Sequence, residues 1–83
     1  MLKRILVLDD NQFILDVVEE ALSYEKFQVL ITSDSNNLIE IAKIFQPDLF
    51  ILDDRLAGHK DNGICNQLKW HPRFGQTPVM LCS

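Results

Sequence analysis

Two short apolar runs, Ile5–Leu8 (ILVL) and Leu49–Leu52 (LFIL), each stop on a pair of aspartates, Asp9–Asp10 and Asp53–Asp54. Runs without polar alternation describe strands buried on both faces, the condition of a parallel sheet covered by helices on both sides. Helices must therefore lie between them. From Gln12 to Tyr24 the apolar positions Phe13, Ile14, Val17, Val18, Ala21 and Leu22 recur at helical spacing, with Asp16, Glu19 and Glu20 opposite. Asn11 stands where an N-cap is needed.

Phe27–Thr32 (FQVLIT) returns to β-type residues, and the polar cluster Ser33–Asn37 precedes a second helical pattern at Leu38, Ile41, Ala42 and Phe45, stopped by Pro47. The third strand spans Asp48–Leu52. A loop containing Gly58 and Asn62–Gly63 then leads to a shorter helix with Ile64, Cys65 and Leu68, limited by Pro72, and Pro78–Cys82 (PVMLC) forms a fourth strand. Trp70 and Phe74 flank Pro72, and the pattern leaves open whether they cover this helix or form a contact surface. The order βαβαβαβ gives an α/β fold, a flavodoxin-like doubly wound parallel sheet of order 2-1-3-4. With 83 residues, residues 1–83 are expected to form one domain with a thin core.

Eight Lys and Arg against twelve Asp and Glu, scattered rather than massed, give a net charge of −4 and no electrostatic footprint for nucleic acid. The apolar runs are far shorter than a membrane helix requires, and the start lacks the apolar region of a signal peptide. A cytoplasmic protein without membrane or direct nucleic-acid contact is expected. Cys65 and Cys82 form no CxxC motif, so free thiols are expected. His59 and His71 lack a partner pattern and read as solvated.

In open parallel sheets, ligands bind beyond the carboxyl ends of the strands. Here those ends carry Asp9 and Asp10, Asp53 and Asp54, and Ser83. Carboxylates crowded to about 4 Å repel by ~4 kcal/mol per pair at an effective dielectric of 20, so a cation is expected among them. Oxygen-only ligands in a shallow, wet site favour Mg²⁺. A carboxylate beside such an ion can act as a nucleophile toward phosphorus, with a hydroxyl such as that of Ser83 contacting a phosphoryl oxygen. Acidic residues also end strands because they suit turns and caps, but two acidic strand ends in the same register make that explanation the weaker one.

Val7–Asn11 (VLDDN), Pro47–Gly58 (PDLFILDDRLAG) and Thr77–Ser83 (TPVMLCS), in that order, resemble the receiver domain of response regulators in two-component signalling, over essentially the whole chain. The resemblance implies that Asp53 is the phosphoacceptor and that Asp10 and Asp53 are direct Mg²⁺ ligands together with the backbone carbonyl of Arg55. It further implies that Asp9 is a mostly water-mediated ligand, Ser83 the switch hydroxyl and Asp54 a bystander. A histidine kinase or phosphotransfer protein is the implied partner. The chain would not be an enzyme beyond catalysing its own phosphorylation and dephosphorylation.

Four departures stand out. Ala57 occupies a position where the family usually has Pro, and the Asp-Gly turn pair is displaced to Asn62–Gly63. Arg55 is bulky and cationic, placed either to pair with Asp54 at the surface or to reach over the phosphoryl group. The family continues past the switch hydroxyl through a helix, a strand bearing a phosphoryl-pairing Lys, and a further helix. The chain thus reads as a receiver incomplete at its C-terminus, and self-association through the surface left bare is expected. Two alternatives remain: a phosphorylation-incompetent assembly module, and a Mg²⁺-dependent phosphohydrolase of the haloacid-dehalogenase type. The latter expects an acid where Arg55 stands and its motif on the first strand.

Overall fold

The computed structural model describes residues 3–57 and 63–82. In chain order the elements are β1 (Arg4–Leu8), α1 (Gln12–Tyr24), β2 (Gln28–Thr32), α2 (Leu38–Phe45), β3 (Leu49–Asp53), α3 (Asp54–Ala57), α4 (Ile64–Lys69) and β4 (Val79–Cys82). The strands form one parallel sheet of order β2-β1-β3-β4. No helix among the described residues is long and apolar enough to cross a membrane.

Local chemistry accounts for the helix ends. The Asn11 side-chain oxygen accepts the N–H of Phe13 at 3.0 Å and of Ile14 at 3.4 Å, so two donors that the first turn of α1 cannot pair internally are satisfied. At the other end Phe27 N–H donates to the Leu22 carbonyl, and Lys26 takes the left-handed conformation (φ 63°) that such a helix stop requires. In α2, Gln46 takes the same conformation (φ 56°) immediately before Pro47, and its N–H closes on the Ala42 carbonyl. The polar cluster preceding α2 does not cap it through Asn37, whose side chain instead bonds Asp34.

Alternation along the strands splits the core into two layers. One contains Leu6, Leu8, Phe50 and Leu52, covered by Leu38 and Ala42 of α2, Ile64 and Leu68 of α4, and Phe74. The other contains Ile5 and Val7, covered by Leu15 of α1, with Val18, Leu22, Val29, Ile31 and Ile51 around them. Phe74 packs edge-on against Phe50 with ring centroids 5.5 Å apart, whereas Trp70 is 73% exposed. The turn therefore divides the two aromatics that the sequence left undecided. His71 packs against Phe74 at 4.8 Å, and its Nδ1 accepts the N–H of Arg73.

Of the apolar stripe expected of α1, only Val18 and Leu22 are partly buried. Leu15, absent from that stripe, is its deepest residue, while Phe13, Ile14 and Val17 are exposed. The physical reason is the unequal cover of the sheet: among the described residues, α2, α4 and the Phe74 turn share one face, while α1 is the one helix packed on the other. Met80 pairs in register with Ile51, on the α1 face, and is 51% exposed. A second difference is α3, which forms directly at the end of β3 where the sequence suggested a loop.

Gly75 holds the turn that seats Phe74. A Cβ there would lie 2.9 Å from the Lys69 carbonyl oxygen and 3.2 Å from that of His71, both backbone atoms with little room to yield. Gly75→Ala is expected to cost ~1–3 kcal/mol by overpacking, read as a lower urea midpoint at unchanged slope. An unchanged midpoint would show that the turn relaxes freely.

Candidate phosphoacceptor and metal site

Register brings the acidic strand ends together. Because Leu8 of β1 lies beside Leu52 of β3, the next residues, Asp9 and Asp53, lie side by side at the carboxyl edge. Oxygens of Asp9, Asp10 and Asp53 all fall within 4.8 Å of one another. Asp9 and Asp53 are buried (8% and 4% exposed), whereas the Asp10 side chain is open to solvent. This is the cluster expected from the sequence.

Each buried carboxylate is engaged locally. Asp9 Oδ1 accepts the N–H of Asn11 at 2.9 Å, tying the strand end to the start of α1. Asp53 Oδ1 accepts the N–H of Arg55 at 2.9 Å, an Asx-type contact that turns the chain from β3 into α3. Asp54 does not belong to the cluster; its charge is felt instead at Cys65, whose thiol is pushed up chiefly by burial and secondly by that charge.

The Arg55 side chain departs from the expected pairing with Asp54 and turns to the acidic site instead. It pairs not with Asp54 but with the cluster: Nη2 lies 3.0 Å from Asp10 Oδ1 and 2.9 Å from Asp53 Oδ2. Its hydrogen bond is the largest influence on Asp53, holding that carboxyl below its ordinary value while burial pulls the other way. The guanidinium is in turn held above its ordinary value by the hydrogen bond to Asp53, then by the charges of Asp53 and Asp10. Arg55 is the second residue of α3, and the bond of its N–H to Asp53 Oδ1 holds its backbone beside the cluster, within reach of the guanidinium. Ser83, and with it the proposed switch hydroxyl, lies outside the described residues, as do His59 and the first residue of the Asn62–Gly63 pair.

The family model for the response regulator receiver domain matches residues 5–83. The chain belongs to the receiver domain family of response regulators. Among solved structures it is similar to a response regulator from Desulfuromonas acetoxidans, with a TM-score of 0.83 and 24% identity over 95% of this chain and 64% of that one. It is also similar to a response regulator protein from Burkholderia multivorans, with a TM-score of 0.72 and 19% identity over 98% of this chain and 65% of that one. The chain thus spans somewhat less than two thirds of the length of either. Both likenesses establish the fold of this receiver.

Receiver domains generally bind Mg²⁺ at an acidic pocket, and the donor set here fits such an ion. Three carboxylates, two of them buried, offer only oxygen to a common point. Among the described residues no sulfur or imidazole joins the cluster, which disfavours zinc or copper.

Proposed function

We propose that this receiver takes a phosphoryl group from a histidine kinase or phosphotransfer protein onto Asp53, in the cytoplasm and with Mg²⁺. The convergence of Asp9, Asp10 and Asp53 at the carboxyl edge of β1 and β3, in a chain of this family, carries the reading. Asp10, Asp53 and the Arg55 carbonyl would hold the ion directly, and Asp9 through water. When bound, Mg²⁺ offsets the charge of the nucleophile and of the phosphoryl oxygens.

Asp53 supplies the chemistry. One of its carboxylate oxygens forms the new O–P bond as the P–N bond to the donor imidazole breaks, and the electron pair leaves with the imidazole nitrogen. The local hydrogen bond from the Arg55 N–H orients the carboxylate before the donor arrives. Ser83 supplies the hydroxyl that contacts a phosphoryl oxygen, and the added charge biases the element around it. The output is a change of contact.

Incubation with Mg²⁺ and acetyl phosphate, followed by intact mass and free phosphate, tests the reading. A retained single adduct is expected. Steady release of phosphate without an adduct would indicate a phosphohydrolase, and no reaction an assembly module without phosphotransfer. The ion pair on Asp53 favours the latter as the second reading, because it occupies the nucleophile.

A second copy of the chain is the proposed partner for the exposed apolar surface. Phe13 and Val17 on α1, with Met80 on the same face of β4, are 49–72% exposed. Among the described residues β4 is an edge strand, and its free backbone groups suit pairing with an identical edge across a two-fold axis. Sedimentation across micromolar concentrations is expected to show a concentration-dependent dimer. A compact species near 9.6 kDa at every concentration would exclude it.

A further inference from the structure

We propose that the Arg55 guanidinium is an internal counter-ion that competes with the divalent cation for the acidic site, so that metal binding requires Arg55 to swing out. The inference rests on the reading of Asp9, Asp10 and Asp53 as the metal site and concerns what holds that site when no metal is bound.

Geometry puts the two cations in the same place. Nη2 of Arg55 lies 2.9 Å from Asp53 Oδ2 and 3.0 Å from Asp10 Oδ1, so it sits between the oxygens of two of the three carboxylates. An ion such as Mg²⁺ approaches carboxylate oxygens to about 2.0–2.1 Å. A metal bound to those same oxygens would lie within van der Waals contact of the guanidinium, cation against cation. Both cannot be seated at once.

Release of the arginine is inexpensive sterically. Its side chain is 70% exposed, and the backbone contact that shapes the β3–α3 turn uses the Arg55 N–H, not the guanidinium. The side chain can therefore leave without unravelling the turn, through rotamer changes open to an exposed residue. With Arg55 seated, one of the three negative charges is offset from within. With it displaced, the carboxylates present their full negative charge, and the affinity for metal is reduced by the competition between these two arrangements.

The test is a Mg²⁺ titration of the full chain by calorimetry at fixed ionic strength, comparing wild type, Arg55→Met and Arg55→Lys. Methionine keeps an apolar stem while removing the charge, and lysine keeps the charge without the fork. Arg55→Met is expected to bind Mg²⁺ about tenfold more tightly than wild type, with Arg55→Lys between them. In parallel, the ¹⁵N side-chain resonances of Arg55 should shift on adding Mg²⁺ to the wild type. Equal or weaker binding by Arg55→Met, or Arg55 resonances that stay fixed while wild type binds metal, would overturn the competition and leave the metal site standing. Absence of binding in all three proteins would overturn the metal site itself and the inference with it.

Discussion

Asp53→Asn is expected to abolish the phosphoryl adduct formed with acetyl phosphate and Mg²⁺, a loss on the order of a thousandfold or more in rate. Asp54→Asn should leave adduct formation within about twofold of wild type, because Asp54 lies outside the carboxylate cluster. The pair is a sharp discriminator: the two acids are adjacent in sequence, identical in chemistry and different only in where the strand end puts them. Asparagine preserves the shape of Asp53 and can still accept the Arg55 N–H, so the turn into α3 is retained. What is lost is the proposed nucleophile and its charge. Intact mass and a thermal melt, run on the same samples, separate this from unfolding. An adduct that persists in Asp53→Asn and disappears in Asp54→Asn would reassign the phosphoacceptor.

Much of the site was legible because it depends on strand ends, and strand ends are marked by an abrupt change in residue type. Ile5–Leu8 and Leu49–Leu52 can be recognised as doubly buried strands, and parallel pairing in register then brings the acids that follow them together. The α1 boundaries were readable for a similar reason, since Asn11 both interrupts the apolar run and caps the helix. The direction of the Arg55 side chain was not readable. It depends on α3 starting at Asp54, and four residues are too few for a periodic pattern to announce a helix. Nor does periodicity say which part of an apolar stripe will be covered. Phe13 and Leu15 are both apolar but two positions apart on α1, which puts them on opposite sides of the helix, and it is Leu15, outside the stripe, that turns to the sheet at 6% exposed against 72% for Phe13.

The thin core makes stability sensitive to single residues, and Phe50 is the position where this should be greatest. Its ring is fully buried between α2, α4 and the Phe74 turn, on a strand paired on both sides. It also makes the edge-on contact with Phe74, so truncation removes an aromatic pair as well as buried apolar area. Phe50→Ala is expected to cost ~3–5 kcal/mol, including the cavity that close-packed neighbours cannot fill. For a chain of 83 residues, a total stability of ~4–12 kcal/mol follows from the usual ~0.05–0.15 kcal/mol per residue, so the variant should be largely unfolded or melt far below wild type. Met80→Ala provides the contrast: on the neighbouring strand but half exposed, it should shift stability by less than about 1 kcal/mol. Urea unfolding of the two variants at the same protein concentration measures both. Equal costs at Phe50 and Met80 would mean that Met80 is buried in solution, through the association of β4 edges, or that Phe50 is less tightly enclosed than its surroundings indicate. Repeating the measurement at a tenfold lower concentration separates those causes, because only burial between copies makes the cost at Met80 fall on dilution.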